Sequence, residues 1–213
     1  MKITKYGHCC LLVEEKGVRL LTDPGAFTAD THTNLTALDV ILYTHEHADH
    51  FHLDSLRLLR QNNPGAIVIC NEGVSSFLEA EGIPHTKIIN DTHEYNGVTI
   101  TGISGEHEEI YPTIPRIQNT GYLIAQKLWY PGDSFVNPGM PVDVLALPVA
   151  GPWLKLSEAL DYAVMLKPQK VLYVHDWILS PSGQSVTERV AKSILSAYPI
   201  SLFSLTLGET YDF

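Results

Sequence analysis

Apolar and polar residues alternate in short runs over residues 3–6, 10–13 and 18–22, and a Glu14-Glu15-Lys16-Gly17 turn separates the last two. Such runs bounded by turn residues predict strands, here an antiparallel meander. Asp23-Pro24-Gly25 stops the third strand, a polar loop extends to about Leu35, and residues 39–43 form an apolar run that reads as a buried strand. Leu53, Leu56, Leu58 and Leu59 then mark one face of a helix that ends near Asn62-Asn63-Pro64-Gly65. A strand over 66–70 and a helix over 73–81, closed by Gly82, continue the alternation.

Strand patterns return at 95–104, entered by a turn at Asn96-Gly97, and at 121–129. The ending mirrors the middle. It has an apolar strand at 142–147, a helix over 157–166 with Ser157 as N-cap, a strand at 171–174, a helix over 185–197 and short terminal strands. Strands, α/β units, more strands and more α/β units imply two similar halves. With no linker between them, residues 1–213 read as a single domain.

Composition narrows the chemistry. Ten histidines stand against 14 lysines and arginines, and 24 acidic residues bring the formal net charge to −10. No run of Lys or Arg offsets this acidity, which argues against a nucleic-acid partner. No apolar stretch approaches the roughly 20 residues that cross a bilayer, so no membrane span is expected. The first residues lack the apolar core of a secretory signal, and only three cysteines are present; both features suit a reducing cytoplasm. Cys9 and Cys10 are expected to pack as small hydrophobes on opposite faces of a strand.

The densest chemistry lies in His45-Glu46-His47-Ala48-Asp49-His50, between an apolar strand and a helix. Rigid elements on both sides can aim imidazoles and a carboxylate at one point. Those ligand types suit Zn²⁺ first, with Mn or Fe also accommodated, and no sulfur completes a closed structural site.

His-x-His-x-Asp-His after a buried strand resembles the signature of the metallo-β-lactamase-fold hydrolases. Their pattern continues with a single His, a single Asp and a final His at later strand ends, and this chain offers His107, Asp133 and His175 in that order. Asp23 in Leu21-Thr22-Asp23-Pro24 resembles the family's early supporting aspartate. The resemblance implies an α+β fold, a four-layer αββα sandwich of two similar halves. It further implies two divalent metal ions: one held by His45, His47 and His107, the other by Asp49, His50 and His175, with Asp133 bridging and Asp23 supporting from behind.

The activity so implied is hydrolysis of a small ester, lactone, amide or phosphodiester by a metal-bridging hydroxide, with Asp49 and Asp133 as catalytic residues. Two dications would make the cleft the most positive place on an acidic protein, so a small anionic substrate could be drawn to it. Tyr6-Gly7-His8, Gly121-Tyr122-Leu123 and Asp143-Val144-Leu145-Ala146-Leu147-Pro148 look most like the compact bacterial branch that includes the ascorbate-6-phosphate lactonase type. Two other readings stay open: an iron-dependent sulfur dioxygenase on the same scaffold, and a non-catalytic metal-binding module. His8, Tyr111, Arg116 and Trp153 are candidate substrate contacts, with Arg116 as an anion anchor, and His32 is a candidate for the cleft mouth. Nothing in the sequence sets the oligomeric state.

Overall fold

The computed structural model describes residues 1–213. The expected meander is present as β1 (Lys2–Gly7), β2 (Cys10–Glu15) and β3 (Val18–Thr22). The polar loop that follows holds a 3₁₀ turn at Ala26–Thr28 and a one-turn helix, α1 (Ala29–His32). Then come β4 (Val40–Leu42), α2 (Leu53–Asn62), β5 (Ile67–Cys70), α3 (Glu72–Ala80) and the two-residue β6 (Thr86–Lys87). Strands β3 to β6 run parallel, because each crossover is long and carries a helix, α1, α2 and α3 in turn.

The second half repeats the plan. An antiparallel set, β7 (Thr92–Tyr95), β8 (Val98–Glu106), β9 (Gln118–Ile124) and β10 (Leu128–Tyr130), leads into parallel β11 (Val144–Pro148), β12 (Lys170–Val174) and β13 (Ser201–Phe203). Helices α4 (Leu156–Leu166) and α5 (Pro181–Leu195) connect the last three strands. Strand β14 (Thr210–Asp212) returns to pair with β1. The sheets are ordered β14-β1-β2-β3-β4-β5-β6 and β13-β12-β11-β10-β9-β8-β7.

Alternation along the strands builds three apolar layers. Cys9, Leu11, Val13, Val40 and Leu42 meet Tyr122, Ile124, Val144 and Ala146 between the sheets. Their neighbours Cys10, Leu12, Ile41 and Tyr43 face Leu56, Leu59, Val74 and Leu78 of α2 and α3. On the far side, Leu145, Leu147, Val171 and Tyr173 pack on α4 and α5 through Leu160, Ala163 and Leu195. Helix, sheet, sheet, helix is the expected four-layer order, and each fully buried Leu or Ile contributes about 1.5–3 kcal/mol to it. Cys9 and Cys10 point to opposite layers as expected, although Cys9 sits in the turn before β2.

Three local expectations are corrected. The single strand expected over 121–129 is a hairpin: the chain reverses at Ala125 and Gln126, both at positive φ (54° and 56°). Ser157 lies inside the first turn of α4, because the Lys155 carbonyl already accepts the first helical bonds from Glu158 and Ala159. Helix α5 starts at Pro181, four residues before the expected 185, with Ser180 accepting from the Gly183 N–H at 3.2 Å. No helix is long and apolar enough to cross a membrane.

Candidate metal centre

The histidine and aspartate positions collect at one rim of the sandwich, each just past a strand end. Strand β3 delivers Asp23, β4 delivers the 45–50 loop, β8 delivers His107, β10 delivers Asp133 through Pro131-Gly132, and β12 delivers His175. The 45–50 loop folds back on itself, with the His50 and Phe51 amides donating to the His47 carbonyl at 2.9 and 2.8 Å. Gly132, at φ +65°, lets the chain pass Asn119, where a Cβ would lie 2.4 Å from Oδ1. Asn119 then fixes that turn, accepting from the Asp133 N–H at 3.1 Å and donating to the Pro131 carbonyl at 2.8 Å. His8, Asp23 and His175 all adopt positive φ (46°, 36° and 61°), a conformation of L-residues that persists where surrounding structure enforces it.

Asp133 stands between two clusters. One groups His45, His47 and His107 with it; the other groups Asp49, His50 and His175 with it; within each, candidate ligand atoms lie within 4.8 Å of one another. Asp133 Oδ2 is 3.3 Å from His107 Nε2, 3.9 Å from His45 Nε2 and 2.9 Å from His175 Nε2, while Oδ1 is 3.2 Å from His50 Nε2. Asp49 Oδ2 lies 3.4 Å from His175 Nε2 and 3.7 Å from His50 Nε2. Despite this closeness, Nε2 of His45, His50, His107 and His175 and Oδ1 of Asp133 are buried without a hydrogen-bond partner. Each such atom costs about 1–3 kcal/mol unless something binds it, so the residues present fit metal ions.

On His45, His50 and His107 the opposite ring nitrogen is tied down. Asp23 accepts at Oδ2 from His50 Nδ1 (2.8 Å), the Thr44 hydroxyl (2.7 Å) and the Tyr130 hydroxyl (2.7 Å), and at Oδ1 from the Thr44 N–H (2.8 Å). Thr44 Oγ1, its proton committed to Asp23, accepts from His45 Nδ1 at 2.9 Å. The Glu108 carbonyl accepts from His107 Nδ1 at 2.6 Å. Anchoring Nδ1 in this way selects the tautomer that leaves Nε2 free for a ligand bond.

Charge divides the clusters. Burial holds His45 well below the ordinary histidine range and His47 below it. For His50 and His175 burial acts in the same sense but is overcome by the Asp133 carboxylate, which holds both well above that range. Burial pushes the Asp133 carboxyl up, yet His175 and His50 hold it well below the usual carboxylate range. Asp49 is likewise held low, against its burial, by the nearby His175 imidazole and by its hydrogen bond with His8. Cationic imidazoles crowded around ionised carboxylates make the charge pattern that bound dications would replace.

The candidate substrate contacts fare unequally. Trp153 lines the cleft of about 380 Å³ above the cluster, its ring 5.5 Å from His107 and 5.6 Å from His175. His8 is buried and absent from the cleft wall; its Nε2 meets Asp49 Oδ2 at 3.1 Å, so it touches a candidate ligand and not the substrate space. Tyr111 is 62% exposed and off the cleft. Arg116 is off the cleft wall and sits over a side crevice beside His47 and His107, facing Glu106 at 3.6 Å and Glu109 at 3.8 Å. His32 is fully buried, away from the cleft mouth, with neither ring nitrogen partnered. The sequence reading missed Phe27, Ile110 and Ile178, which line the cleft, and Cys9, whose Sγ groups with His8, His50 and His175. Apolar residues in loops carry no signal for a cleft wall, and Cys9 reads equally well as core.

Residues 2–175 match the family model described as a beta-lactamase superfamily domain. The chain is 36% identical over 192 residues to a protein of Mycobacterium tuberculosis, covering 87% of this chain and 89% of that one. It is 35% identical over 182 residues to a metal-dependent hydrolase of Rubrobacter xylanophilus, covering 77% and 72%. A metallo hydrolase from the archaeon Ignicoccus hospitalis shares the fold, with a TM-score of 0.76 over 100% of this chain and 98% of that one at 21% identity. Two sheets of matching order, a rim of convergent histidines and aspartates, and these matches place the chain in the metallo-β-lactamase superfamily, among its metal-dependent hydrolases.

Proposed function

We propose that the protein hydrolyses a small ester, lactone, amide or phosphodiester at a dinuclear centre, with His45, His47 and His107 holding one metal, Asp49, His50 and His175 the other, and Asp133 reaching both. The observation that carries this reading is the set of unpartnered, buried Nε2 atoms arranged around Asp133. Two divalent metals bound there would lower the pKa of water towards neutrality and polarise the substrate oxygen under attack.

The chain's own residues prepare that chemistry. Asp23 and Thr44 fix the rings of His50 and His45, so that little reorganisation remains when the centre fills. His8 holds Asp49 from behind at Oδ2, and its ring packs 4.1 Å from that of His175. The depressed carboxyl of Asp49 keeps it ionised, which suits it better to ligation than to storing a proton. Trp153 covers the inner wall and excludes water from the His107 and His175 side.

A panel of lactones, esters, amides and phosphodiesters, assayed with and without chelator, tests the reading. Hydrolysis that chelator abolishes and added metal restores supports it, and turnover by metal-free protein overturns it.

A further inference from the structure

The walls of the cleft are chemically one-sided. Of the residues lining it, the polar ones, His47, Asp49, His107, Asp133 and His175, all belong to the candidate centre. The remainder are Phe27, Ala48, Ile110, Pro152, Trp153 and Ile178. Among these six the only side-chain hydrogen-bond donor is the Trp153 indole N–H, which lies against Gly151. None of the chain's 14 lysines and arginines lines the cleft, and Arg116 faces two glutamates.

Phe27 and Ile178 are the more telling because they stay 45% and 51% exposed. Neither is needed to fill a core. They flank the centre because the 3₁₀ turn after Gly25 and the segment after His175 carry them there. A remote phosphate, carboxylate or sugar hydroxyl of a bound substrate would lose its water against these walls and gain no partner. An alkyl or aryl group would gain about 0.8 kcal/mol per buried methylene, or roughly a fourfold preference.

From this lining we infer that the cleft selects substrates whose hydrolysable group is attached to an uncharged alkyl or aryl substituent, with Phe27, Trp153 and Ile178 as the residues that set that preference. The inference rests on the metal-centre reading and replaces the small anion suggested by the charge of two bound dications with an amphiphile. The polar reacting group faces the histidines and aspartates; the apolar remainder lies against the wall.

Straight-chain hydroxamates from acetohydroxamate to octanohydroxamate, which anchor on metals by one end, test the wall without turnover. Calorimetric titration of the metal-loaded protein is expected to show Kd falling roughly two- to fourfold per added methylene, with gluconohydroxamate binding no tighter than acetohydroxamate. Phe27→Ser with Ile178→Ser should flatten that slope at unchanged metal content. A flat series in the parent protein, or tighter binding of the polyol, overturns the inference. A second arm dispenses with metal: chelator-treated protein is titrated with the matching alkanols, following the fluorescence that parent protein has and Trp153→Phe lacks. Affinity that rises with alkanol length supports the apolar wall even if no hydroxamate binds, an outcome that would sink only the metal-centre reading. Affinity independent of alkanol length overturns the wall.

Discussion

Asp23 does not line the cleft, yet four donors from three residues converge on it: His50 Nδ1, both Thr44 groups and the Tyr130 hydroxyl. Asp23→Asn turns one acceptor oxygen into a donor facing these donors. Metal affinity is expected to fall about 10–100-fold, read by competition with a chromophoric chelator, while circular dichroism stays that of the parent. Unchanged affinity would show that Asp23 serves the fold alone. His32 gives a separate prediction. Burial lowers its pKa from 6.5 to about 4, so the folded state favours the neutral ring. Its contribution to stability is present above the unfolded value of 6.5 and is lost as pH falls from there towards 4. Relative to His32→Leu, the parent protein should lose about 2 kcal/mol between about pH 7.5 and pH 5 in urea unfolding. Parallel pH profiles for the two would contradict it. At this scale four of the seven candidate ligands are legible because they crowd six positions, whereas His107, Asp133 and His175 are legible only through the order of the family's motif. The sequence did not reveal that His8 supports Asp49, because that contact spans 41 residues of chain.

Among the elements, legibility followed the strength of local signals. The meander and α2 are legible because their strand and helical patterns end close to Gly, Pro or Asn, and β4 because it is an uninterrupted apolar run. The β9–β10 hairpin was not legible, because Ala125 and Gln126 hold the two positive-φ positions normally marked by Asn-Gly. Tertiary pairing of β10 with both β9 and β11 enforces what the turn residues do not advertise. The rim loops are held as tightly. A Cβ on Gly25 would stand 1.9 Å from the Asp49 carbonyl oxygen and 2.7 Å from the His50 nitrogen, so Gly25→Ala must push the 45–50 loop away. The variant should fold but lose most of its metal by elemental analysis. Gly65→Ala, whose Cβ would meet nothing within 4 Å, should keep its metal and change stability by no more than about 0.5 kcal/mol. Equal metal content in the two would show that the loop yields without cost to the centre.

Across the whole molecule, repetition explains the site. Each half pairs an antiparallel set with parallel strands in the same order, and the halves face each other across one shared apolar layer. Strand ends from both halves therefore meet at one rim, where the first contributes Asp23 and the 45–50 loop and the second contributes His107, Asp133 and His175. Two similar halves were legible from the alternation of element types and the four-layer order through the family resemblance, but the apolar lining of the cleft was not, since Phe27, Ile110 and Ile178 come from three separate loops. The acidic balance of the chain describes the outer surface, whereas the cleft combines a candidate dication centre with an uncharged wall. The claim beneath all of this is that Asp133 serves both clusters. Elemental analysis of freshly purified protein beside Asp133→Ala tests it most directly. The account predicts about two divalent ions per chain in the parent and about one or fewer in the variant, with chelator-sensitive hydrolysis lost alongside. Equal metal content in the two proteins, or a parent that is active with none, would contradict it.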